Sequence, residues 1–420
     1  VTILYQARER VARARPSLVS YVRLGKTRER LLLVCASFLG VIRFDACEGS
    51  SLQQRWPRLF SAIVEFSSKF SQRRGFGDHM LLCVGSSKGI VLLDPERARV
   101  PLMVHADPAP VWCLAADCFD RNLIYAGSNE CVALGNARTM RTLSRSRDGG
   151  KSWEDITPRG SVDEDVWAIA ASPSEPGWLL VGTSRGRLLR SYDAGQTFEE
   201  CLGLRDVRSR LRWEPGCAGS APRVRAIVFD PSQPEVFYVA VEGGGVFRSR
   251  EGSDSFEPLN NGLNLDVHSI AVSPYDSNVL YAATGAGFYR STNGGRLWSP
   301  VLLECVRSYA VPTLATNQPV GAVFTAAGFG PPQTWIREGG ARARLFRSVD
   351  GAQSFQAVTV ELEEDPLHGM VMTIVQNPAR PDEFFATTSR GMVLRSQDGG
   401  ETFTSLTANL PPAYSALVLA

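Results

Sequence analysis

Three acids, Asp165, Asp266 and Asp365, stand just ahead of apolar runs that read as β-strands. Hydrolysis of a glycosidic bond requires two carboxylates about 5 to 9.5 Å apart, one giving a proton and the other acting as base or nucleophile. An acid at the head of a strand is also an ordinary turn former, its oxygens accepting backbone N–H groups. Spacing alone brings no two of these acids to the catalytic separation. A second set is cationic and aromatic. Arg205, Arg208, Arg210, Arg212 and Trp213 share the long connection between Leu202 and Arg223, Trp335 and Arg337 share that between Ala327 and Arg344, and Arg185 stands in a short turn. Arginine beside tryptophan is the composition of interface hot spots and of sites for carboxylate, phosphate or sugar. Solvated loops with scattered ion pairs have the same composition, and both readings stand.

A third set comes from register. The residue following the first position of successive apolar runs is Trp112, Trp167, Arg225 and His268, with Met372 and Tyr414 at corresponding places. A buried strand needs none of these types there. Gathered at one place they would form an aromatic and cationic ring able to hold a small anionic or sugar-like ligand; packing between neighbouring sheets would use them equally well.

The elements that position these residues repeat. Val166-Trp-Ala-Ile-Ala-Ala, Trp178-Leu-Leu-Val-Gly-Thr, Gly186-Arg-Leu-Leu-Arg-Ser and then Tyr192-Asp-Ala-Gly-Gln-Thr-Phe form a phrase that recurs from Val224, Val267 and Met370. Short apolar runs separated by Gly, Pro and Asp, four to a repeat, predict four β-strands. Each phrase is punctuated by Ser-x-Asp-x-Gly-x-Ser/Thr-Trp/Phe, with Asp148, Asp193, Asp350 and Asp398 in the acid position and Glu251 and Asn293 replacing it in two repeats. In a tight turn the carboxylate accepts backbone N–H groups, glycine tolerates positive φ and the aromatic packs between strands. These six residues are therefore expected to be structural.

The pattern resembles the Asp-box, or BNR, repeat of sialidase-like, sortilin-like, xyloglucanase and photosystem II assembly-factor propellers, over about residues 110 to 420. The resemblance implies an all-β fold, a single β-propeller of four-stranded blades. Counting the strand-turn-strand phrase, including Leu31 to Phe44 and Met80 to Leu93, gives eight blades, with seven as the alternative. Residues 1–30 are expected to be a basic lead-in and 31–420 the propeller, with the terminal run from Tyr414 pairing with the Leu31 segment to close the ring. The resemblance also places the acid-bearing turns on one rim and any functional loops on the other.

The bulk numbers exclude more than they assign. A net charge of +2 over 420 residues gives no field that argues for nucleic acid. Nine scattered cysteines without a Cys-x-x-Cys pair, and four separated histidines, give no zinc spacing and suit a reducing compartment. No cofactor or metal is expected. No run approaches the roughly 20 apolar residues of a membrane helix. The N-terminal residues lack a secretory core and read as cytoplasmic, although the chain begins at Val1 and a removed upstream signal stays open.

Function divides into two expectations. A sialidase would carry an Arg-Ile-Pro element and a tyrosine nucleophile in a recognisable setting, neither of which occurs. A xyloglucanase-like enzyme sets its acids in a cleft between two propellers, and this chain is long enough for one. The leading expectation is thus a non-catalytic scaffold that recognises a protein or peptide partner, or an anionic ligand, on the long-loop face. The alternative is a glycoside hydrolase acting on a carbohydrate.

Overall fold

The second strand of each repeat is apolar almost throughout because it lies inside its sheet, covered on both faces. Leu81–Ser86, Leu179–Thr183 and Phe237–Glu242 are buried along their whole length. This is visible in a computed structural model of the chain. The structure describes residues 19–21, 30–35 and 41–45 and, from residue 80, all but 98–100, 107–109, 130–141, 159–163, 211–212, 214–220, 251, 305–306, 320, 336–338, 363–366, 408 and 420. The chain divides into two compact units, Val1–Gly77 and Asp78–Ala420.

The second unit is a seven-bladed β-propeller of four-stranded antiparallel blades. Blades 1 to 7 are named here by their innermost strands, which are Val111–Ala116, Val166–Ala171, Arg223–Phe229, Val267–Val272, Tyr309–Ala315, Val371–Asn377 and Ala413–Leu419. Each touches the next, and Ala413–Leu419 touches Val111–Ala116, so the ring returns on itself. Blade 6 carries a fifth strand, Thr359–Glu361, laid parallel on Thr402–Thr407.

The described residues thus form seven blades, the alternative count, and not eight. Leu31 and Val41 belong to strands Arg30–Cys35 and Val41–Asp45, which form a three-stranded sheet of the first unit with Val19–Tyr21, Arg30–Cys35 lying in the middle. The expected partner of the terminal strand is corrected accordingly: Ala413–Leu419 pairs antiparallel with Leu81–Ser86. A strand-turn-strand phrase specifies a hairpin by local alternation, and nothing in it specifies which sheet the hairpin joins.

Blades adhere through apolar faces. Trp178, Phe237, Phe247 and Phe256 share one cluster between blades 2 and 3, where Gly182 permits close approach: a Cβ there would lie 2.3 Å from Val224 Cγ1. On the rim of the Ser-x-Asp turns a polar contact adds to this. An arginine precedes the turn serine in six blades, and in four of them it donates to a carbonyl of the following blade: Arg190 to Gly252 at 3.2 Å, Arg248 to Gly294 at 3.3 Å and Arg395 to Pro95 at 3.3 Å, while Arg145 reaches Ala194 O. Blades 1 to 3 supply each such arginine with a glutamate from the adjoining fourth strand, Glu154, Glu199 or Glu257.

Within the turns, Asp193 Oδ1 accepts the N–H groups of Gln196 and Thr197 at 2.9 and 2.8 Å, and Oδ2 accepts the Thr197 hydroxyl at 2.6 Å. Asp148, Asp350 and Asp398 repeat the arrangement, and Asn293 Oδ1 accepts the Leu297 N–H. Glu251 lies outside the described residues. Burial opposes ionisation of these carboxyls, but the donated hydrogen bonds outweigh it and hold Asp193, Asp350 and Asp398 at about 2. Folded-state values below the unfolded one mean stability that is present above about pH 4 and lost as pH falls toward 2. Replacing Asp193 with Ala should cost about 1–3 kcal/mol at neutral pH, read from urea unfolding. The difference from wild type should shrink as the pH is lowered through that window; a constant difference would remove the carboxylate from the explanation.

Candidate functional site

Every innermost strand is irregular near its start. The register against the second strand slips between Val111 and Cys113, Val166 and Ala168, Val224 and Ala226, Val267 and Ser269, Ala310 and Thr313, Val371 and Thr373, and Ala413 and Ser415. The skipped residues are Trp112, Trp167, Arg225, His268, Val311 with Pro312, Met372 and Tyr414. A bulge leaves its residue out of the ladder and re-aims the side chain. Here the bulged side chains of blades 7, 1, 2 and 3 meet.

Trp112 stacks on Tyr414 with centroids 4.2 Å apart and planes at 9°, and lies 4.9 Å from Trp167. The Arg225 guanidinium of blade 3 lies 5.0 Å from the Trp167 ring and 5.7 Å from Trp112 of blade 1. Reaching past blade 2 in this way requires side chains turned toward the ring's axis. Arg223 covers Trp167 at 4.3 Å. Glu242, at the end of the second strand of blade 3, faces both arginines, 3.3 Å from Arg223 and 3.7 Å from Arg225, with only 4% of its side chain exposed.

Blade 4 continues this mouth. Asp266 bridges to Glu242 through the backbone, and its carboxylate fits because residue 285 is glycine: a Cβ there would lie 2.1 Å from Oδ2. His268 is buried beside Tyr309, with centroids 4.6 Å apart. Its Nδ1 lies 2.6 Å from the Ala310 carbonyl oxygen, which can only accept, so Nδ1 carries a proton. Nε2 faces Asp266 Oδ1 at 3.4 Å. Burial works to raise the Asp266 pKa, but His268 and the charges of Arg225 and Arg223 outweigh it and hold the carboxyl below its ordinary value.

The other expected residues are arranged differently. Leu202–Arg210 is a helix anchored by the buried Leu204, and it displays Arg205 to solvent 3.7 Å from its neighbour Asp206. Arg208 donates to the carbonyl of Arg185 at 2.8 Å and lies 3.6 Å from Glu200; Arg185 occupies a turn at φ 63° with its side chain exposed. Trp213 turns inward over Gly186, where a Cβ would lie 2.2 Å from its ring, and lies 5.4 Å from Phe247. Trp335 packs on the cluster of blades 5 and 6 and donates to Gly330 O at 2.7 Å. Arg212, Arg337, Asp365 and the side chain of Arg210 lie outside the described residues. Glu242 and Tyr309 were not among the expected residues. The signal for Glu242 was a carboxylate where the matching positions of blades 2 and 4 carry Ser184 and Gly285.

Among the described residues no group of three or more His, Cys, Asp or Glu could hold a metal ion, and no helix is long and apolar enough to cross a membrane. No family profile matches the chain. A xyloglucanase of Hypocrea jecorina is 23% identical over 303 residues, covering 71% of this chain and 33% of its own length. A Paenibacillus xyloglucanase is 28% identical over 170 residues, 31% of this chain and 16% of its own. The chain thus spans about a third or less of these curated relatives. Among solved structures, a Niastella koreensis GH74 enzyme matches with TM-score 0.56 and 14% identity over 78% of this chain and 52% of its own, and the Xanthomonas campestris GH74 xyloglucanase with TM-score 0.52 and 16% identity over 72% and 46%. At such identities the structures speak to the propeller fold. The curated relatives are hydrolases by name, which overturns the leading expectation of a non-catalytic scaffold for a protein partner.

Proposed function

We propose that this propeller acts on a polysaccharide as a glycoside hydrolase, with xyloglucan as the first substrate to test. The observation that carries the reading is the mouth itself, where the stacked Trp112 and Tyr414, with Trp167, adjoin Arg225 and the ionised carboxylate of Asp266. Sugar rings bury their C–H faces against aromatic rings while charged and amide groups bond the hydroxyls, and a mostly apolar wall with a few convergent polar groups is the usual form of such a site. Of the two carboxylates that hydrolysis requires, Asp266, with 31% of its side chain exposed, suits the base or nucleophile; Glu242 is committed to two guanidiniums and does not serve as the proton donor. His268 fixes the Asp266 carboxylate. The Ser-x-Asp turns we assign to the Asp-box class, on the strength of their repeated hydrogen-bond pattern, as the frame that holds this mouth.

Incubation with xyloglucan is expected to release reducing ends, and Asp266→Asn to slow that release by about 100-fold or more while circular dichroism stays that of the wild type. Retention of xyloglucan without hydrolysis would refute the hydrolase reading. Neither retention nor hydrolysis would refute the carbohydrate reading altogether.

A further inference from the structure

The six rim arginines allow a comparison within one molecule. Across the ladder from each stands Glu154 opposite Arg145, Glu199 opposite Arg190 and Glu257 opposite Arg248, then Ser299 opposite Arg290, Gln356 opposite Arg347 and Thr404 opposite Arg395. Where the glutamate is missing, two of the three arginines find a carboxylate elsewhere. Arg347 has Glu401 at 3.7 Å, and Arg395 has Glu96 at 2.7 Å together with Glu383. Arg290 has no carboxylate partner among the described residues; its side-chain partner is the neutral phenol of Tyr281. At this same junction between blades 4 and 5 lies a cavity of about 370 Å³, lined by Arg290, Ser299, Thr292 and Gln353 on its polar side and by Leu297 and Leu302 on its apolar side. Leu297 and Leu302 are 49% and 76% exposed, an apolar wall without a covering group among the described residues.

We propose that this cavity binds a small carboxylate with an apolar body. The guanidinium of Arg290 takes the charge in the place where blades 1 to 3 put their own glutamate. Ser299 and Thr292 offer hydroxyl donors beside it, and Leu297 and Leu302 receive the apolar part. A guanidinium recognises a carboxylate through paired N–H donors in a fixed plane, and the cavity volume falls within the roughly 300–1,000 Å³ of small-molecule sites. The site lies on the rim of the Ser-x-Asp turns and is independent of the mouth and of the carbohydrate reading.

The test uses the whole chain with benzoate as probe and benzamide as its uncharged isostere, both followed by ligand-observed proton NMR, and sulfate, an anion without an apolar body, read by its displacement of benzoate. Benzoate is expected to bind at least tenfold more tightly than either control. Arg290→Gln should abolish the difference. Ser299→Glu, which restores the cross-strand carboxylate of blades 1 to 3, should also abolish benzoate binding while keeping or raising the melting temperature. Equal binding of benzoate and benzamide, equal binding of benzoate and sulfate, undiminished binding to Ser299→Glu, or no binding of benzoate to the wild type would each overturn the proposal.

Discussion

A chain cut after Leu410 is expected to lose the cooperative fold of residues 78–420 rather than merely shed a strand. Ala413–Leu419 is the innermost strand of blade 7, paired from Ala413 opposite Ser86 to Leu419 opposite Leu81. Its removal strips the ladder from a strand that is buried along its full length and leaves an open edge. It also removes the wall between the innermost strands of blades 6 and 1, both of which touch it. Ala413 and Ala416 are buried in the cluster that joins blades 6 and 7, and Tyr414 stacks on Trp112. At about 1.5–3 kcal/mol for each large side chain uncovered, the loss is on the order of 10 kcal/mol, comparable with the whole stability of an ordinary domain. The measurement is a thermal melt of the truncated chain, alone and with a peptide of residues 411–420 added back. A truncated chain that melts like the full one would show that the ring does not depend on this closure; recovery on adding the peptide would locate the effect in the strand itself.

What could be read in advance follows from the range of each interaction. The turn aspartates were legible because everything they do happens within four residues: Asp193 accepts from Gln196 and Thr197 and touches the Ser191 hydroxyl. The bulged residues were legible because the same register recurs in each repeat, so Trp112, Trp167, Arg225 and His268 could be aligned without knowing what a bulge would do to them. The blade count was not legible to the same degree. Leu31 to Phe44 and Leu81 to Leu93 carry the same hairpin phrase, yet only the second meets the terminal strand. Choosing between them depends on pairing across more than 300 residues, about which alternation is silent. Trp213 shows the converse failure. Its neighbours Arg210 and Arg212 suggest an exposed binding loop, but the ring is drawn inward by the space above Gly186 and Gly244, and that space belongs to turns elsewhere in the chain. Glu242 and Arg290 are legible only as exceptions, the first a carboxylate where other blades have a small residue, the second a cation whose cross-strand glutamate has become Ser299.

Glu242→Gln is expected to be among the costliest single substitutions near the mouth, at about 3–5 kcal/mol in urea unfolding. The carboxylate is 4% exposed and compensates two guanidiniums that are themselves 15% and 14% exposed, so removing its charge leaves both largely desolvated. Much of the penalty belongs to the stranded arginines rather than to the lost attraction. Arg225→Met in the Glu242→Gln background should therefore recover part of the loss, because it removes one of the uncompensated charges. The same reasoning predicts an effect on the reaction. Asp266 already has its pKa lowered in part by Arg225 and Arg223, and freeing those charges from Glu242 pulls it lower still. If Asp266 must be ionised to act, the acid limb of the activity profile moves to lower pH in Glu242→Gln and returns upward in the double variant. An unchanged unfolding midpoint would mean that solvent, not Glu242, balances the arginines. A changed midpoint with an unmoved acid limb would separate the packing of the mouth from its chemistry and remove Asp266 as the group that titrates.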